Sequence, residues 1–186
     1  MHSFFPLTNY DEGVKLSEDN ARRLIEDPKI LLKNERHHSA VYLAIQGIEE
    51  IGKALLFLKY KKDQKEITKT QWEKVFCDHR RKIREVQEKI TKHIGTVNVY
   101  EKFGDSKIYW SNERVHEMLV NGLKRNKEDF AYLNYDFSKQ RMTIPAKLDI
   151  ANFEALTKSI VIGYTQRAMY ALEKEKTNDR KIANMR

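Results

Sequence analysis

The stretch Ser39–Phe57, SAVYLAIQGIEEIGKALLF, constrains this chain more than any other. Wound as a helix at about 100° per residue, it sets Val41, Ala44, Ile45, Ile51, Gly52 and Leu55 around Ile48 on one face. The opposite face carries Gln46, Glu49, Glu50 and Lys53, but also Tyr42, Leu43, Phe57 and Tyr60. A helix that is apolar on both sides belongs in the middle of a bundle. Its polar island is then partly buried too, and buried charge has to be paired. The alternative is a Glu49–Lys53 pair one turn apart on a solvated stripe. That leaves Glu50 and the flanking aromatics unexplained.

The rest of the chain fits a helical bundle. Its 186 residues suit one domain with one core, and only 3 are proline and 7 glycine. An abundance of Lys, Glu, Leu, Ile and Ala favours helix. Charged residues make up 33% and hydrophobic ones 40%, the balance of a folded soluble domain. The net charge of +8 permits contact with nucleic acid or an acidic protein surface without requiring either. Cys77 is the one cysteine, so neither an internal disulfide nor a thiolate zinc site can form. The opening MHSFFPLTNYDEG lacks a basic segment followed by a long apolar core, and no apolar run is long enough to span a bilayer. A cytoplasmic protein with no membrane contact is the expectation.

Helix signals place a first helix over about Asp11–Glu26, stopped at Asp27-Pro28, with a short turn KILLKN behind it. The long helix follows over about Glu35–Lys62. Thr70 and Glu73 read as a capping box for a third helix, about Gln71–Ile94, ended by Gly95. Along it Trp72, Phe76, His79, Ile83, Val86, Ile90 and His93 alternate in steps of four and three, the seam of a helix packed on one long partner. Residues 96–110 form a loop or a small hairpin around Gly104-Asp105. A helix over about Glu113–Leu133 comes next, then an irregular crossing at 136–147 containing Pro145. A last helix, about Ile150–Glu173, is capped by Asp149, and the charged tail 175–186 is expected to fray. The fold class is all-α, a single bundle of about five helices over residues 1–186 with its core at about 11–174 and one irregular insertion.

Three groups of residues offer chemistry. His37 and His38 are adjacent and point about 100° apart on a helix, and no His-Glu-x-x-His or paired Glu-x-x-His pattern occurs, so no metal or cofactor is implied. His93 reads as a core histidine satisfied by one hydrogen bond. His79, with Lys82 one turn on, meets the acidic island if the two long helices pack together. Glu49 or Glu50, Lys53, His79 and Lys82 then lie within reach of one another. Such a group serves equally as a proton-transfer site, since an imidazole beside a carboxylate is a good base, or as a buried network. Arg125-Asn126 and Tyr132, almost two turns apart, form the third group: Arg suits phosphate, and Tyr stacks on a base or donates a proton.

The order of these segments resembles the AbiV-type abortive infection proteins, bacterial phage-defence proteins. The shared features are A-x-x-G-I-E-E-I-G-K (Ala44 to Lys53), F-x-x-H-x-x-K (Phe76, His79, Lys82) and R-N-x-x-x-x-A-Y-L-N-Y-D from Arg125, ahead of Pro145. The family looks like a branch of the HEPN superfamily, and the resemblance implies a compact helical bundle, often a homodimer. Many superfamily members are metal-independent ribonucleases whose signature is an Arg, a polar residue and then a His. Here Arg125-Asn126 matches the opening, no His follows, and Tyr132 stands near its place. Two activities are therefore expected to compete. One is a non-catalytic effector that binds a phage or host component and blocks phage production, with translation as the step it reaches and Glu49, Glu50, Lys53 and Lys82 as its polar cluster. The other is an RNA-cleaving toxin using Arg125, Asn126, Tyr132 and His79.

Overall fold

The computed structural model describes residues 10–63, 68–95, 98–103, 106–111, 134–136, 141–143 and 157–183. Helix α1 spans Tyr10–Lys33 and α2 spans His37–Lys62. After the turn, α3 (Lys69–Cys77) and α4 (His79–Ile94) follow almost without a gap. Strands β1 (Asn98–Phe103) and β2 (Ser106–Ser111) pair antiparallel with Phe103 opposite Ser106, so they flank Gly104-Asp105 as a hairpin. A second antiparallel pair, β3 (Asn134–Asp136) and β4 (Arg141–Thr143), sets Asp136 opposite Arg141. A π-helical segment, Ser159–Tyr164, then runs straight into α5 (Thr165–Ala183). Every described core residue comes from a helix or from the π segment, which makes the protein an all-α bundle. Among the described residues no helix is long and apolar enough to cross a membrane.

Helix α2 is the centre of the bundle. Val41, Ile45, Ile48, Ile51, Leu55, Leu56, Phe57 and Leu58 are all buried, and they cover its whole circumference. It packs against α1 on one side and against α4 and α5 on the others. Gly47 makes the α1 contact close: a Cβ there would lie 2.9 Å from Ile25 Cγ1.

Pro28 does not end the first helix; α1 continues through it to Lys33, and Pro28 is buried. An interior proline removes one backbone hydrogen bond and costs about 3 kcal/mol. Packing of the same turn against α2 offsets that cost, as tertiary contact commonly overrides local propensity.

Asp78 divides the next helical stretch in two. The expected single helix over 71–94 is two helices, because Asp78 accepts a hydrogen bond from the Arg81 amide at 3.0 Å and so caps a new start. Apolar spacing continues unbroken through this point, and periodicity alone does not show a cap. Gly95 closes α4 with φ 81°, the left-handed conformation that glycine adopts freely.

The expected irregular crossing at 136–147 contains β4 and the last residue of β3, which pair antiparallel. The tail does not fray from 175, since α5 stays helical to Ala183. The expected helix at 113–133, with Arg125, Asn126 and Tyr132 in it, lies outside the described residues, as do Pro145 and the expected cap Asp149.

Candidate functional site

The site is built at the crossing of α2 and α4, where Gly52 has no side chain. A Cβ at Gly52 would lie 2.4 Å from the Lys82 carbonyl oxygen and 2.8 Å from Lys82 Cα. The two backbones therefore touch, and the residues one turn away on each helix are pressed together. Glu49 lies one turn before Gly52 on α2. Its Oε2 is 2.6 Å from His79 Nδ1 and 3.2 Å from Lys82 Nζ, both on α4. Glu49 and Lys82 are 2% and 1% exposed, so this is a fully buried ion pair. Lys82 Nζ also donates to the Phe76 carbonyl at 2.9 Å, an acceptor that the helix break at Asp78 leaves available.

The polar island thus divides into two. Glu49 turns inward to α4, whereas Glu50 pairs with Lys53 three residues on. Lys53 Nζ also sits 5.4 Å above the Phe76 ring, a cation–π contact. Phe76 packs edge-on against Trp72 at 4.8 Å, and Trp72 against Phe57 at 5.4 Å, which anchors α3 to α2. Glu49, His79 and Lys82 are brought together as expected; Glu50 and Lys53 form a neighbouring pair of their own.

His79 is the one member of the cluster with access to solvent, its side chain being 45% exposed. A carboxylate at hydrogen-bonding distance from Nδ1 favours the tautomer with the proton there, leaving Nε2 as the acceptor. The ring is thus oriented by a buried group and can exchange a proton through its other nitrogen. Among the described residues no group of His, Cys, Asp and Glu could hold a metal ion.

A second cluster escaped the sequence reading. Glu175 of α5 is 3% exposed, and its Oε1 receives Lys92 Nζ at 2.6 Å and His93 Nε2 at 2.7 Å. Its Oε2 receives Lys62 Nζ at 3.1 Å, with Lys89 Nζ 3.6 Å away. His93 thus has the one hydrogen bond expected of a core histidine. Burial pushes the Glu175 carboxyl up, but hydrogen bonds from Lys92, His93 and Lys62 and the charge of Lys89 outweigh it and hold the group at about 2. A depressed carboxylate contributes stability above its unfolded value and loses it as pH falls through its folded value. The Glu175 contribution is therefore expected to be complete above pH 4.5 and to vanish progressively toward about 2. An NMR titration of the Glu175 carboxyl checks this; a midpoint near 4.5 would mean that the cluster does not form.

A helical bundle whose two central helices cross at a glycine, locked by a buried Glu–Lys pair with an exposed imidazole beside it, is the class of protein defined here. A family model described as HEPN_AbiV (AbiV) matches residues 9–158, a span that includes α1 to α4 and both hairpins. The chain belongs to the AbiV family, and with it to abortive-infection phage defence. No curated protein and no solved structure matches it.

Proposed function

We propose that this protein acts in the cytoplasm, as a homodimer, by contact: a helical effector that binds a phage or host component and blocks phage production, through translation. The observation that carries this reading is the burial of Glu49 and Lys82. These residues belong to the stretches that mark the family, and they hold α2 to α4 instead of facing a substrate. Binding then falls to the surface of a chain whose net charge is +8. The test is to incubate purified protein with total RNA, with and without EDTA. RNA is expected to stay intact under both conditions, and His79→Ala is expected to keep its phage protection.

One observation favours the second reading, a metal-independent ribonuclease. It is the half-exposed His79 ring with Nδ1 on a buried carboxylate. In that mechanism Arg125, beside Asn126, binds phosphate, and His79 or Tyr132 handles the proton at a ribose 2′-hydroxyl. RNA cleavage that persists in EDTA and disappears in both His79→Ala and Arg125→Ala would replace the contact reading. Tyr132→Phe, which removes only a hydroxyl, then tells proton handling from stacking.

A further inference from the structure

Where the π-helical segment runs into α5, two polar side chains are left unsatisfied by the bundle. Ser159 is 2% exposed, and its hydroxyl has no hydrogen-bond partner among the described residues. Arg167 is half-buried, and its Nε is sealed from solvent without a partner there either. Polar groups buried in this way are rare and costly. Elsewhere Lys62, Lys82, Lys89 and Lys176 each face a carboxylate; Arg167 faces none among the described residues. The ionisable group that acts on it is Tyr164. Burial pushes that phenol up, so it stays neutral and supplies no counter-charge. Burial likewise lowers the Arg167 guanidinium from its ordinary value.

The two residues share one stripe of the helix. Gly163 stands between them, four residues from each, so the three fall nearly in line. The Arg167 side chain leans back over Gly163: a Cβ there would meet Nη2 at 3.2 Å and Nη1 at 3.4 Å. Lacking that Cβ, the helix has a notch at Gly163, with backbone as its floor and a guanidinium laid across it. Ile162, Gln166 and Tyr170 along one edge are exposed, so the notch opens onto the surface. A π-helical turn is a rare device, and it recurs at functional sites.

We propose that the notch over Gly163 is a binding site for a terminal phosphate group, either inorganic phosphate or the phosphate of a small monoester. The phosphate takes the place that the guanidinium fills here, and the fork swings outward to close on it from the solvent side. Arg167 then gives two parallel N–H bonds to two of its oxygens. The Ser159 hydroxyl donates to a third from within the helix stripe. A tetrahedral anion offers oxygens in both directions, whereas a planar carboxylate takes the fork alone. A phosphodiester carries a sugar on either side and does not enter a notch one residue wide. The site is independent of how the protein stops phage and stands under either reading of its function.

The test uses the full chain and four probes at equal ionic strength: inorganic phosphate, methyl phosphate, acetate, and an oligouridylate without a terminal phosphate. The thermal midpoint and the Arg167 Nε–H resonance are followed. Inorganic phosphate or methyl phosphate is expected to raise the midpoint by several degrees and to move that resonance. Whichever acts at the lower concentration is the form the site takes, and either supports it. Arg167→Met keeps the stem and removes the charge. It is expected to melt higher than the native chain in the absence of phosphate, and to show no phosphate response. Ser159→Ala and Gly163→Ala are each expected to weaken phosphate binding roughly tenfold, the first by removing a donor and the second by filling the notch. A phosphate response retained in Arg167→Met, an equal response to acetate, or tighter binding of the oligouridylate than of either phosphate would each overturn the site. The resonance is read in the native chain, so its failure to move at high phosphate decides against the site even if a variant misfolds.

Discussion

Gly52→Ala is expected to destabilise the protein by about 3 kcal/mol, the upper end of the range for overpacking, and Gly52→Val to prevent folding. The added Cβ meets backbone on both sides, the Lys82 carbonyl oxygen at 2.4 Å and its carbon at 2.7 Å. Neither helix can retreat locally, since moving α4 outward also parts Glu49 from Lys82. Against a total stability of roughly 5–15 kcal/mol, such a loss removes a large share. Gly163→Ala is the control. A Cβ there meets the Arg167 guanidinium at 3.2 Å, the far end of a flexible side chain that can swing aside. Urea denaturation of the three variants checks the contrast, and equal midpoints for Gly52→Ala and Gly163→Ala would refute the close crossing.

Removing the buried carboxylate is the second large effect. Glu49→Ala is expected to cost about 3–5 kcal/mol, because it leaves the Lys82 ammonium buried without its counter-charge. Replacing both partners by apolar residues of similar size, Glu49→Leu with Lys82→Met, is expected to restore most of that loss or exceed it. Glu50→Ala is expected to cost about 1 kcal/mol or less, as its partner Lys53 can turn toward water. The comparison separates a structural lock from a solvated stripe. A loss on Glu49→Ala no larger than that on Glu50→Ala would place both groups on the stripe.

The central helix was legible because its apolar residues cover both faces, which forces the polar island inward. Which glutamate goes in was not, since Glu49 and Glu50 differ by about 100° around the helix and only the position of α4 decides between them. Gly52 looked like one more small residue on an apolar face; its meaning lies in a backbone it meets 30 residues later. The stop at Gly95 was readable from local turn chemistry, whereas the same chemistry left both a loop and a small hairpin open over 96–110, and the pairing of β1 with β2 is what decides between them. Pro28 and Asp78 were misread in opposite directions. At Pro28 packing overrode a local breaker, and at Asp78 a local cap interrupted a seam that the spacing carries through. Glu175 was hidden because an acid in a charged tail looks solvated. Its partners Lys62, Lys92 and His93 lie 113, 83 and 82 residues away.

The position of α5 has a consequence for how the molecule comes into being. Ala168, Ala171 and Leu172 complete the core, and Lys176 reaches Glu18 across a separation of 158 residues. Contacts so distant along the chain slow folding, because the intervening loop must be closed before they contribute. On the ribosome, α1 and α2 emerge long before α5 and wait with their apolar flank open. The bundle can finish only once α5 itself is free of the exit tunnel. A chain made only as far as α4 therefore lacks both its complete core and the carboxylate that gathers Lys62, Lys92 and His93, so the arrival of α5 closes the fold and neutralises its basic seam together.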